Sequence, residues 1–336
     1  MDYRKKFIVE PGAKVRLSKI DPSYMGKHES HERAVPEIQK NAARMDKLQY
    51  LLYADGSQSL LVVLQALDAA GKDGVIRHVF SGMNPQGTFV FGFKQPSKEE
   101  VAHDFLWRAH RRTPSKGEVV IFNRSYYEDV LVVRVHKLVP HSVWSKRYEL
   151  INDFETMLSR NNTTILKFFL HISPEEQLAR FKQRLDDPSR QWKISESDYT
   201  ERELWSKYLE AYEDAIALTS TKRAPWYIIP SNHKWFRNLA VSQIIADTMD
   251  EMGLKLPPTH VDIAAIRRKF HAAERDERGR TKGAKGHEKD SAKVHEDARA
   301  ALTISVLLLG GAAPRSQLVG LARRCKGKQR RSCRKR

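Results

Sequence analysis

The sequence predicts an α/β fold: a three-layer α/β/α sandwich around a five-stranded parallel sheet, with a helical lid. Three observations carry that prediction. Strand-length apolar runs alternate with helix-length stretches over residues 36–256, the pattern of βαβ units. The first run, Ser59 to Leu67 (SLLVVLQAL), is apolar without alternation, as a strand buried on both faces requires. No segment recurs at a fixed period, so nothing suggests a repeat architecture.

The elements follow in order. Residues 1–35 are polar and mixed, with turn pairs at Pro11-Gly12 and Asp21-Pro22, and read as an N-terminal extension. Leu48, Leu51 and Leu52 have helical spacing within a helix expected from Pro36 to Ala54. The strand at 59–67 runs into a short loop and a helix at Val75 to Phe80. A strand follows at Thr88 to Phe93, a helix at Ser97 to Arg112, a strand at Glu118 to Phe122 and a helix at Trp144 to Asn161. The fourth strand is Thr163 to Ile172. Ser173, Pro174, Glu175 and Glu176 then start a helix, with a serine cap, proline at the first position and acids in the first turn. A long amphipathic helix covers Asp198 to Thr219, a fifth strand Trp226 to Ile229, and a closing helix Trp235 to Met252. The crossovers are expected to be right-handed. Residues 36–256 form one domain, with the lid at about 173–220, and 257–336 a basic, low-complexity tail. Beyond about residue 265 the composition predicts disorder, with an unexplained apolar island at 301–309.

Composition narrows the function. At 336 residues, 40% hydrophobic and 30% charged, the chain can bury a sizeable core. Its two cysteines, Cys325 and Cys333, lie in the tail, so the body can build neither a disulfide framework nor a cysteine-based zinc site. The thirteen histidines show no HExxH-like spacing. A reducing cytoplasm is expected. The start MDYRKKFIVEPGAKVRL has no secretory pattern, and the longest apolar run, Ala300 to Ala313, is too short to span a bilayer. Of the net charge of +18, residues 265–336 hold +14, from 21 basic and 7 acidic residues. The remainder is nearly balanced at 38 basic and 34 acidic. The headline charge therefore says little about the body, which carries no nucleic-acid motif. Neither a specific nucleic acid nor a membrane is an expected partner.

The chemical signal sits after the first strand, at Asp68-Ala69-Ala70-Gly71-Lys72-Asp73. A loop between a buried strand and a helix can cradle phosphate with its amides and with the helix N-terminus, and a lysine there reaches the outer phosphates. The strict pattern G-x-x-x-x-G-K-[ST] fails twice: Ala66 replaces its first glycine and Asp73 its hydroxyl residue. An ordinary turn with a surface lysine would look similar. Asp68 argues for function, because an acid in a phosphate loop is repelled unless it handles a metal or orients a phosphate oxygen.

The loop continues into Ser81-Gly82-Met83-Asn84-Pro85-Gln86-Gly87, Phe93-Lys94-Gln95-Pro96-Ser97 and His103-Asp104-Phe105-Leu106-Trp107-Arg108. After the third strand comes Asn123-Arg124-Ser125-Tyr126-Tyr127-Glu128-Asp129, running on to Arg134 and His136. Arg180, Arg184, Asp187-Pro188, Trp192-Lys193 and Ser195 to Asp198 follow. This ordered set, over roughly residues 30–255, resembles the polyphosphate kinase 2 family. The resemblance implies a P-loop kinase-like fold that moves phosphoryl groups between inorganic polyphosphate and AMP or ADP, with Mg2+ or Mn2+. It implies Asp68, Lys72 and Arg124 as catalytic. It matches Arg180, Arg184 and Lys193 to the lid, and suggests a homodimer or homotetramer. Asn123, where many relatives have Asp, looks like the class acting on both AMP and ADP. It removes one candidate metal ligand, leaving Asp68, Glu128 and Asp129.

Polyphosphate needs a path lined with cations. Ala70, Gly71, Lys72 and Asp73 of the loop, with Arg124, Arg134, Arg180, Arg184 and Lys193, are the expected phosphate contacts. Arg180 and Arg184, four apart, share a helix face, as a solvated basic face would too. Asn84, Gln86, Gly87, Asn123 and Glu128 are expected near the nucleotide, whose base is adenine or guanine. His103, Asp104, Trp107 and Arg108 read either as a wall of that site or as a packed aromatic with a helical ion pair. Two rival functions stay open: an ATP-dependent nucleoside monophosphate kinase, and a non-catalytic polyanion binder acting through the tail.

Overall fold

The computed structural model describes residues 1–28 and 30–280, together with Lys293 and Glu296. The chain divides into two units, Met1–Pro257 and the residues from Pro258 on. In the first unit the Asp2 side chain caps a short helix, α1 (Tyr3–Phe7), which leads into β1 (Ile8–Val9). Helix α2 (His31–Asp55) begins one turn before the expected Pro36. Ser30 caps it through the amide of Arg33, and Gly56 ends it with φ +61°. After β2 (Ser59–Gln65) come α3 (Lys72–Val79) and β3 (Thr88–Gly92). The helix expected over 97–112 is broken into α4 (Lys98–Val101) and α5 (Trp107–His110). β4 (Val119–Asn123) precedes α6 (Val132–Val135), α7 (His141–Trp144) and α8 (Arg147–Arg160). β5 (Thr163–His171) feeds α9 (Pro174–Asp186), where Ser173 caps as expected. The helix expected over Asp198 to Thr219 splits at Leu204 into α10 (Glu196–Glu203) and α11 (Trp205–Thr219), and β6 (Trp226–Pro230) and α12 (Lys234–Glu251) close the unit.

Among the described residues six strands form one sheet, in the order β1-β6-β5-β2-β4-β3. The five expected strands are parallel; the sixth, β1, pairs antiparallel with β6 at the edge. Central β2 explains its unbroken apolar run. Leu60, Val62 and Leu64 face a core built with α12, while Leu61 and Val63 face one built with α8 and α11. Burying each such side chain contributes roughly 1.5–3 kcal/mol. In β2 and β4, Leu64 pairs with Asn123, so both strands end level and deliver the loop at 66–71 and Arg124 to the same edge.

No helix among the described residues is long and apolar enough to cross a membrane. In the second unit residues 263–280 are helical, so the disorder expected beyond 265 does not hold there. The apolar island at 301–309 lies outside the described residues.

Candidate active site

Between β2 and α3 the backbone turns twice through the left-handed region, at Ala69 (φ +62°) and Gly71 (φ +106°). Gly71 is doubly required, since a Cβ there would sit 1.9 Å from Arg237 Nη1. Three side chains hold the loop's carbonyls. Gln177 Nε2 donates to Asp68 O (2.9 Å), Arg180 Nη1 to Ala69 O (2.8 Å) and Ala70 O (2.9 Å), and Arg237 Nη1 to Ala70 O (3.1 Å). The first-turn amides of α3 have no intrahelical acceptor, and Gly71 offers no side-chain cap. They are the donors a phosphate group needs.

Charged groups converge on this turn. Lys72 is buried and its Nζ donates to Ala66 O at 2.8 Å. Burial first, and Arg124 second, push its pKa down to about 8. Arg124 follows β4 with φ +61°, and its amide bonds Leu64 O (3.0 Å). Its Nη2 donates to Asp68 Oδ1 at 2.7 Å, where Asp68 is 34% exposed. Behind them Glu128 accepts from Gln65 Nε2 (3.2 Å), and its Oε2 lies 3.8 Å from Arg124 Nη1. Burial raises the Glu128 pKa, and Arg124 opposes that rise. Asn123 Nδ2 donates to Asp73 Oδ1 (2.8 Å), joining the end of β4 to the first turn of α3.

A cleft of about 1200 Å3 opens above the loop. Asp68, Gly71, Lys72, Asp73, Asn123 and Arg124 line its floor. Arg180 and Arg184 come from α9, Lys193 from the turn at Gln191–Lys193, and Lys234 and Arg237 from α12. The structure therefore gathers nine residues singled out in the sequence, with Ala70 buried in the same loop. Residues 28–257 match the family model described as polyphosphate kinase 2.

The chain belongs to the polyphosphate kinase 2 family. An AMP/ADP-polyphosphate phosphotransferase of Meiothermus ruber is 51% identical over 254 residues, spanning 75% of this chain and 95% of the relative. An ADP-polyphosphate phosphotransferase of Rhodopseudomonas palustris is 46% identical over 271 residues, 76% of this chain and 92% of the relative. The crystal structure of polyphosphate kinase 2 from Arthrobacter aurescens superposes with a TM-score of 0.78 at 39% identity, covering 81% of this chain and 97% of that one.

Other expected residues of this polyphosphate kinase 2 chain are placed elsewhere. Arg134 lies outside the cleft, donating to Asp214 (2.7 Å) and Glu210 (2.8 Å) beneath Trp144. Arg180 lines the cleft, but its guanidinium is spent on Glu176 and on the carbonyls of Ala69, Ala70, Ser231 and Asn232. Asn84 caps the turn at Pro85–Gly87 by accepting from the amide of Gln86, and Gly87 lies against Gln49 and Tyr53. His103 and Trp107 stack at 4.1 Å. Asp104 accepts from the Leu106 amide rather than from Arg108, because the chain breaks between α4 and α5 and the four-residue spacing no longer aligns them. Arg108 instead donates to Lys94 O (2.9 Å) and Asp129 (3.3 Å). Asn84, Gln86, Gly87, His103, Asp104, Trp107 and Arg108 thus stand outside the cleft lining.

Asp129 is held between Arg108 and Arg147, which leaves it poorly placed for a metal. Among the described residues no three His, Cys, Asp or Glu side chains could hold a metal on their own. Mg2+ bound between phosphates needs only one or two carboxylates besides phosphate oxygens and water. Asp68, exposed to the cleft beside the loop, fits that requirement.

Sequence reasoning missed Gln177, Lys234 and Arg237. One signal was available for Arg237: it shares a helical stripe with buried Ala240, Val241 and Ile244, where a charge is out of place.

Proposed function

We propose that the cleft transfers phosphoryl groups between inorganic polyphosphate and AMP or ADP, giving ADP and ATP. The observation that carries this reading is the Asp68–Arg124 pair set at the mouth of a phosphate loop whose carbonyls are held from behind. A terminal oxygen of the nucleotide attacks the end phosphorus of the polyphosphate. The P–O–P bond breaks, and the chain leaves one unit shorter. The protein's task is positioning and charge stabilisation. The α3 amides, Lys72 and Arg124 face the equatorial oxygens of the transferred group. Asp68 orients the acceptor phosphate, and it would hold a bound Mg2+ or Mn2+, which neutralises charge on the phosphates. Arg184 and Lys193 lie on the lid side, where closure excludes water and limits hydrolysis.

An assay with polyphosphate and ADP, without added ATP, tests the reading, run in parallel with AMP. ATP formed from ADP and ADP formed from AMP are the expected products. Turnover of AMP with ATP as donor and none with polyphosphate would assign the protein to the conventional monophosphate kinases. The Asp68→Asn variant serves as the control, and it is expected to stay folded and lose transfer.

A further inference from the structure

Two arginines are buried beside the phosphate loop, and they differ in what balances their charge. Arg180 has Glu176 at 2.7 Å and four backbone carbonyls. Arg237, only 2% exposed, has no acid: among the described residues no carboxylate lies within ion-pair distance. Its protein acceptors are Ala70 O (3.1 Å) and Asn238 Oδ1, which takes Nε (3.1 Å) and Nη2 (2.9 Å). A guanidinium has five N–H groups, so one hydrogen on each terminal nitrogen is left over.

The position of that group is specific. It lies against Gly71, which caps α3, and Gly74 in the first turn of α3: a Cβ would approach it to 1.9 Å at Gly71 and 2.8 Å at Gly74. It lines the cleft, as does Lys234 one turn earlier on α12, whose first turn holds no acid. Burial and the neighbouring Arg180 push its pKa down to about 9. A buried cation without a counter-charge costs folding free energy, and an arriving anion offsets that cost.

We propose that Arg237 binds a phosphate of the polyphosphate chain directly where the chain crosses Gly71 and Gly74, with Lys234 beside it. This rests on reading the cleft as a polyphosphate site. The rival role is mechanical: Arg237 would serve only to hold Ala70 O.

Stability and binding together separate the two. The measurements are thermal unfolding with and without tripolyphosphate, and equilibrium titration with tripolyphosphate and with ADP. Arg237→Met removes an uncompensated buried charge. Its melting temperature without ligand is expected to equal or exceed that of the wild type, while the rise on adding tripolyphosphate largely disappears. Its Kd for tripolyphosphate is expected to increase roughly ten- to a hundredfold, the usual scale for a hydrogen bond to a charged group. A lower melting temperature with an unchanged tripolyphosphate Kd would overturn the proposal. Arg237→Gln keeps a donor for Ala70 O but no charge, and decides the matter if the Met variant fails to fold. It should bind tripolyphosphate as weakly as stated for Met; wild-type affinity in it would sink the direct contact. If the wild type itself neither binds tripolyphosphate nor uses polyphosphate, the function proposed for the cleft fails instead.

Discussion

Lys167 on β5 and Arg237 on α12 are both buried cations, yet only Lys167 is neutralised from within. Its Nζ donates to Glu155 (2.6 Å), Tyr127 Oη (2.9 Å) and Thr219 O (2.7 Å). Tyr126 and Tyr127 complete the shell by donating to Glu155. Burial pushes the Lys167 pKa down, and Glu155 pushes it back. Such a closed set has nothing left for a ligand and serves packing. Arg237 has no acid, and Lys72 donates only to a carbonyl. In this enzyme, a buried cation that no acid meets at ion-pair distance marks the place where a polyanion is expected; Asp68, Glu128 and Asp73 act on Lys72 only from farther off.

The largest expected effect tests the closed side. Glu155→Gln leaves Lys167 buried and unpaired, and should destabilise the protein by about 3–5 kcal/mol. Chemical denaturation measures it, and a loss below about 1 kcal/mol would show that the pair is not needed. On the open side, Lys72→Ala should lower kcat by roughly 10²–10³, the scale for losing one group that stabilises transition-state charge. Its folding stability should not fall, because removing a desolvated charge costs the native state little. Wild-type turnover would break the comparison there.

A pH profile comes next. Lys72, with a pKa of about 8, is charged below that pH, so kcat/KM should fall as pH rises through about 8. Bound phosphates favour the charged form, so the matching fall in kcat should lie at higher pH. In the unfolded chain lysine titrates near 10.4. The unfolded state therefore binds the extra proton between the two values, and this group's contribution to stability rises with pH from about 8 to 10. A flat kcat/KM profile through pH 9 would contradict the assignment. The smallest effect is on the surface: Lys182→Ala breaks an exposed pair with Asp186 and should change stability by less than about 0.5 kcal/mol. A larger loss would mean that exposure is not what separates these pairs.

The loop after the first strand was legible because its residues are contiguous and sit where strand chemistry changes to helix chemistry. Helix continuity was less so. One expected helix over 97–112 is two short ones, and the contacts built on its spacing do not form, as Asp104 and Arg108 show. Two-residue β1 carries no periodicity to detect. The disposition of the basic residues was also hidden. Arg134, Arg180 and Arg237 read alike as sequence, but one pairs with surface acids, one staples the loop and one faces the cleft unpaired.

By itself the sequence determined the five parallel strands, and a lysine and an acid in the first strand's turn. Hydrophobic periodicity and local turn chemistry act over a few residues, so they survive in one dimension. Only the tertiary structure decided which cations meet which acids. A charge is balanced by what lies near it, and for Arg237 that is the neighbouring Asn238 together with Ala70, Gly71 and Gly74, which are far away along the chain.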